Sequence, residues 1–307
     1  RDRALTLDDW IGFLSQLPDY AHLTLSGGEP LSFKGFDEFF LAADKRFTTN
    51  IITNGTLFNE KNIDMFANSK NLQVLSTSID DIGNIVRGVK PAQWEKMKKM
   101  LELLKSKNSK IIIDAKTVVL DENAKDLFSI YKHFKEILGI DTHSFQFLKG
   151  SPVQHADFPF KLEAIYKDFL AYDYKEIDTI IEQLENIRKY NLKNNFKSYT
   201  HPSFVDLNTE QSVYDQEYKL FNQTKHNPKS YKPCIAPWAS AHINTDGDVY
   251  PCLAVKMGNI HDNTLREIFF GEKFEDFKND LKSKGTFPSC GRCGYLRLKE
   301  PNTIEKV

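Results

Sequence analysis

Apolar residues recur through the first half of the chain in two alternating rhythms. Short runs rich in β-branched and aromatic residues, His22 to Leu25, Thr49 to Thr53, Gln73 to Ile79, Lys110 to Leu120 and His143 to Leu148, predict strands. Helical spacing between them, at Phe36 to Arg46, Asn59 to Phe66, Pro91 to Lys105 and Ala124 to Leu138, predicts helices. Leu7 to Leu17 predicts one more, with Thr6 as its N-cap and Asp9 placed to complete a capping box. Repeated strand-helix units imply right-handed crossovers and a parallel sheet, either open or curled into a barrel. A helix leads the array where a strand is expected, so one βα unit is expected to begin upstream of Arg1.

The second half changes rhythm. Leu162 to Tyr190 is helical in pattern, with Ile177, Ile180, Ile181, Leu184 and Ile187 on one stripe, and reads as a covering helix. Asn191 to Lys232 is polar and aromatic without a period and reads as connection. Ala241 to Asn244 and Asp248 to Tyr250, flanking Thr245-Asp246-Gly247, predict a hairpin, and Leu265 to Leu281 predicts a helix. The expected division is residues 1–160, 161–232 and 233–307.

Charge alters this picture little. The 307 residues carry 41 basic and 42 acidic side chains, a formal net charge of -1, so no overall field favours nucleic acid or an acidic membrane. The lysines from Lys96 to Lys110 lie opposite the stripe Met97, Met100, Leu101 and Leu104 and read as a solvated helix face. No apolar run approaches the length of a membrane span, and the start has no signal-peptide pattern, so a cytoplasmic protein is expected. All 4 cysteines fall in the last quarter, too few for a disulfide-dense scaffold and clustered as metal ligands are.

Candidate chemistry begins at Ser26-Gly27-Gly28-Glu29-Pro30, directly after a strand. Paired glycines there let a small molecule approach the main chain closely, although an ordinary turn uses them as well. The next strands end in Thr53-Asn54-Gly55 and Ser78-Ile79-Asp80. Each alone is compatible with a turn or a helix cap; three on one rim point to a binding edge. Arg87 follows the third and is suited to clamping a carboxylate, or to lying on the surface. Farther on, Cys234 and Cys252 are joined by Cys290-Gly291-Arg292-Cys293. Four thiolates on a hairpin and a turn suit zinc or an iron-sulfur cluster, and the spacing does not choose between them or exclude two disulfides.

With these motifs in order, the chain resembles the radical S-adenosylmethionine superfamily over roughly residues 5–150. The resemblance implies a partial (β/α)6 TIM-like barrel, its first strand absent here. Gly27, Gly28, Glu29 and Pro30 would hold the methionine amino group, and Thr53, Asn54 and Asp80 would belong to the same rim. Ser78 and Arg87 would lie near the methionyl carboxylate or ribose, and Leu148 near the adenine. The family's C-x3-C-x2-C motif is absent, and a second 4Fe-4S cluster is expected from a missing N-terminal segment.

Residues 233–295 resemble the SPASM auxiliary-cluster domain, in its shortened twitch form. Cys234, Cys252, Cys290 and Cys293 would then ligate one auxiliary 4Fe-4S cluster. The implied activity is hydrogen abstraction by a 5′-deoxyadenosyl radical from a peptide or a sugar or alcohol, with the auxiliary cluster aiding electron transfer and a flavodoxin or ferredoxin supplying electrons. No catalytic base is assigned, because Glu29, Asp80 and Asp246 all have structural alternatives. The rival classes are a non-catalytic barrel carrying a metal-stabilised peptide-binding module, and a zinc-ribbon interaction protein.

Overall fold

The computed structural model describes residues 3–107, 110–150, 171–216, 218, 222, 225–252 and 255–299. The part of the expected covering helix before residue 171, the boundary near residue 160 and the last eight residues lie outside them.

Capped helices and alternating strands follow one another as the rhythms predict. The order is α1 (Leu7–Leu14), β1 (His22–Leu25), α2 (Phe36–Asp44), β2 (Thr48–Thr53), α3 (Glu60–Ala67), β3 (Leu72–Ser78), α4 (Pro91–Ser106), β4 (Ile112–Val119), α5 (Leu127–Glu136) and β5 (Thr142–Phe147). Thr6 and Asp9 form the expected capping box on α1. After α6 (Ile177–Asn194) comes β6 (Lys197–His201), inside the stretch read as connection. The six strands pair in chain order, all parallel, giving a partial TIM-like barrel.

The sheet's two faces divide the labour. Outward-facing Ile51, Leu75 and Ile113 are buried with Phe40, Phe66 and Met97 from α2, α3 and α4, each large side chain contributing about 1.5–3 kcal/mol. Phe145 and Phe147 meet Ile180 and Leu184 of α6 in a second cluster. The inward-facing row is polar. Asp114 on β4 accepts hydrogen bonds from Ser76 (3.1 Å), Thr142 (2.8 Å) and Ser144 (3.1 Å), and pairs with Lys116 at 3.3 Å.

The C-terminal region opens with a helical turn, α7 (Ala236–Ala239), and an antiparallel sheet of β7 (His242–Ile243), β8 (Asp248–Tyr250) and β9 (Gly258–Asn259), so the expected hairpin is present with a third strand added. The expected helix from Leu265 to Leu281 is two helices, α8 (Leu265–Phe269) and α9 (Glu272–Lys284). Gly271 breaks it: its backbone is extended (ψ 157°), and a Cβ there would lie 2.8 Å from the Glu267 carbonyl.

Among the described residues this region touches the barrel through the Arg297–Ser203 bridge beyond β6 and in two further places. Near the N-terminal segment, Leu5 N–H donates to the Thr245 carbonyl at 2.7 Å and Leu265 N–H to Gln16 Oε1 at 2.8 Å. The second contact is at the end of β5, through Arg292. Among the described residues no helix is long and apolar enough to cross a membrane.

Candidate active-site rim and thiol pocket

Parallel strands deliver their following loops to one edge, and the candidate residues of the first half lie along it. Gly27 has φ +131°, a conformation essentially reserved for glycine, and a Cβ at Gly27 or Gly28 would meet nothing within 4 Å. The main chain is therefore open to an approaching ligand at these two residues. Glu29 holds the loop in place: its carboxylate accepts from Leu31 N–H (3.1 Å), Thr53 Oγ1 (2.7 Å) and Asn54 N–H (2.8 Å). Pro30 opens a single turn of 3-10 helix capped by the same carboxylate. Glu29, Thr53 and Asn54 are thus brought into direct contact. The Asn54 side chain is occupied locally, its Oδ1 accepting from Thr56 N–H and Oγ1 at 2.9 and 2.7 Å.

The third loop is stitched separately. Asp80 is 4 % exposed, and its Oδ1 accepts from Val118 N–H at 2.7 Å while Oδ2 pairs with Arg87 Nε at 2.6 Å. Asp80 and Arg87 therefore meet each other, and Arg87 arrives at the rim already carrying one carboxylate. Ser78 ends β3 opposite Lys116, and its carbonyl accepts from Asn84 Nδ2 at 3.0 Å. Leu148 follows β5, its N–H donating to the Tyr174 hydroxyl at 2.9 Å.

The inward row escaped the motif reading because Asp114, Lys116, Ser144, Gln146 and His201 sit inside strands, where only register aligns them. A cue was present in the sequence, since Asp114 and Lys116 alternate with apolar Ile113 and Ala115 in an otherwise β-rich run. Burial, reinforced by Lys116 and opposed in part by Asp114, lowers the His201 pKa.

All four cysteines are free thiols and line one pocket, whose remaining wall is Leu281, Phe287, Tyr295 and Leu296. Cys290 is held in place by a hydrogen bond from Phe287 N–H to its sulfur at 3.3 Å. Burial pushes its pKa up to about 12, with the neighbouring Cys293 and Cys234 adding to the shift; burial likewise raises Cys234. Soft sulfur donors in an apolar wall fit a thiophilic metal or an iron-sulfur cluster and offer nothing to a hard cation. Among the described residues no compact group of three or more His, Cys, Asp or Glu side chains is arranged around a single metal ion.

Two family models match separate regions of the chain. Residues 1–134 match the radical SAM superfamily, and residues 234–294 match SPASM, an iron-sulfur cluster-binding domain. The chain carries a radical SAM region and a SPASM region. The sporulation killing factor maturation protein SkfB of Bacillus subtilis (strain 168) is 23% identical over 306 residues, 97% of this chain and 64% of SkfB. The chain thus spans less than two thirds of that relative's length. Among solved structures, Streptococcus suis SuiB superposes with a TM-score of 0.61 at 18% identity, over 90% of this chain and 62% of SuiB. Native anSMEcpe with bound AdoMet gives 0.59 at 19%, over 97% and 83%. At these identities the two structures establish the shared fold. The radical SAM and SPASM regions imply S-adenosylmethionine and 4Fe-4S clusters as cofactors.

Proposed function

We propose that the protein is a peptide-modifying maturase that begins its reaction by removing a hydrogen atom from its substrate. Its auxiliary 4Fe-4S cluster is held by Cys234, Cys252, Cys290 and Cys293. The observation that carries this reading is the thiol pocket: four cysteines from three segments of the chain, Cys234, Cys252 and the Cys290–Cys293 turn, line one apolar pocket in the region that matches a cluster-binding domain. SkfB is named as a maturation protein, SuiB has been crystallised with the precursor peptide SuiA, and anSMEcpe with a Cp18Cys peptide, which favours a peptide here as well.

When bound, the cofactors supply a 5′-deoxyadenosyl radical for hydrogen abstraction and an auxiliary centre able to accept an electron. The chain's own residues bind and orient. Gly27 and Gly28 present bare main chain to the methionyl group. Glu29 fixes that loop against Thr53 and Asn54 through three hydrogen bonds, so the loop needs little reorganisation on binding. Asp80 holds Arg87 by one nitrogen, leaving Ser78 and the guanidinium edge to receive a carboxylate or ribose. The inward Asp114–Lys116 pair gives the barrel interior a polar lining. Leu148 borders the adenine side. Four all-cysteine ligands favour electron transfer over substrate anchoring at the auxiliary cluster. A flavodoxin or ferredoxin is the proposed reductant, and a reducing cytoplasmic compartment suits four free thiols.

The test is to express the protein with its upstream coding sequence, reconstitute it anaerobically, and add S-adenosylmethionine with dithionite. Formation of 5′-deoxyadenosine is expected, increasing with the cognate precursor peptide. Its absence from fully iron-loaded protein would refute the reading.

A further inference from the structure

The thiol pocket and the strand rim are joined through one side chain. Arg292, between Cys290 and Cys293, has φ +53°, left-handed backbone that residues with a Cβ adopt only where their surroundings impose it. Its side chain reaches the end of β5. Nη1 donates to the Leu148 carbonyl at 3.0 Å, across 144 positions of sequence, and Nη2 to Asn222 Oδ1 at 3.3 Å. The guanidinium carbon lies 5.1 Å from the centroid of the Tyr174 ring.

Tyr174 splices the ends of two strands. Its hydroxyl accepts from Leu148 N–H at 2.9 Å and donates to the Val119 carbonyl at 2.8 Å, tying β5 to β4. Asn222 secures Tyr174 in turn, accepting from its N–H at 3.1 Å and donating to its carbonyl at 3.2 Å. Arg292 therefore braces the same junction from the cysteine side. Only 5 % of it is exposed, a costly place for a cation, and the fork of its guanidinium reaches two acceptors while its face lies on an aromatic ring. A lysine ammonium has neither the fork nor the plane.

We propose that Arg292 is a positioning residue that makes the β4–β5 rim, and hence S-adenosylmethionine affinity, depend on loading of the four-thiol site. The inference rests on the functional reading above. Drawing Cys290 and Cys293 onto a common metal group fixes the two-residue turn between them, and with it the backbone from which Arg292 reaches Leu148.

The test uses the full-length protein with its catalytic cluster and measures S-adenosylmethionine binding in wild type, Cys252→Ala, Arg292→Met and the double variant. Cys252 is remote in sequence from the Arg292 turn, so its loss empties the site without altering that turn directly. Each single substitution is expected to weaken binding about tenfold, and the double variant to be no weaker than either. Arg292→Lys, lacking the fork, should behave as Arg292→Met. Wild-type affinity in Arg292→Met, or effects that multiply in the double variant, would overturn the proposal.

Should Arg292→Met fail to fold, hydrogen exchange decides. The Leu148 amide should exchange faster in Cys252→Ala than in wild type, and equal rates would overturn the coupling. Fully loaded wild type that binds no S-adenosylmethionine would sink the functional reading instead, while the Leu148 comparison still decides the coupling.

Discussion

The rim of the barrel and the thiol pocket hold their chemistry by opposite means. On the rim, the Glu29 carboxylate accepts three hydrogen bonds and Asp80 is bound to Val118 and Arg87, so the loops are fastened by the protein's own polar groups. In the pocket, four cysteines from three segments are brought together by apolar packing, and burial drives Cys290 and Cys234 toward the neutral thiol. A rim satisfied internally keeps its shape before any ligand arrives. A pocket of thiols, one buried and three half-buried, would gain its tightest constraint from a metal group taking up the sulfurs, because ligation converts thiols into thiolates.

The largest effect that separates the two regions is expected from loading itself. Limited proteolysis of unloaded protein should cut within residues 233–299 while the six-stranded sheet survives, and loading should suppress those cuts. Simultaneous loss of both regions would break the contrast.

Acid should act on the barrel next. His143, wholly buried, has its pKa lowered to about 3 by burial, against an ordinary value of 6.5. The unfolded chain therefore takes up the proton more readily, so this stability is intact above pH 6.5 and is lost as the pH falls toward 3. The slope is about 1.4 kcal/mol per pH unit in that window. Urea unfolding at pH 7 and pH 5, compared with His143→Phe, checks it, since the variant should lose that part of the slope.

Glu29→Gln sharpens the account of the rim. Replacing the carboxylate by an amide costs charge-assisted bonds from Thr53, Asn54 and Leu31, and about 1–3 kcal/mol of stability is expected to go with them. Thermal melting measures it, and an unchanged midpoint would show that the rim does not need the latch. The smallest effect belongs to Arg3 and Asp262, paired at 3.0 Å with both side chains more than half exposed. Asp262→Asn should leave the melting midpoint unmoved within error, because an exposed pair gains little over solvated charges.

How far these regions could be read in advance follows from where their partners lie. Strands β1 to β5 were legible because their outward residues are apolar and alternate, and the rim motifs because glycine and short polar residues mark strand ends. Strand β6 was not, since the residues it buries are Ser198 and Thr200, which leave no apolar period. Gly271 was visible, but helical spacing on both sides concealed the break. The cysteines declared themselves by clustering late in the chain. Arg292 could not, because Leu148 is 144 positions away and Asn222 is 70. Asp114 and Lys116 acquire meaning only when the strand register sets Ser76, Thr142 and Ser144 beside them.

The central claim, that Cys234, Cys252, Cys290 and Cys293 hold an iron-sulfur cluster, is tested most directly by counting metal and sulfide. Residues 1–307, reconstituted anaerobically, should carry about four irons and four labile sulfides per chain, and Cys252→Ala should lose them. One zinc per chain without sulfide, or an iron content unchanged in Cys252→Ala, would contradict it.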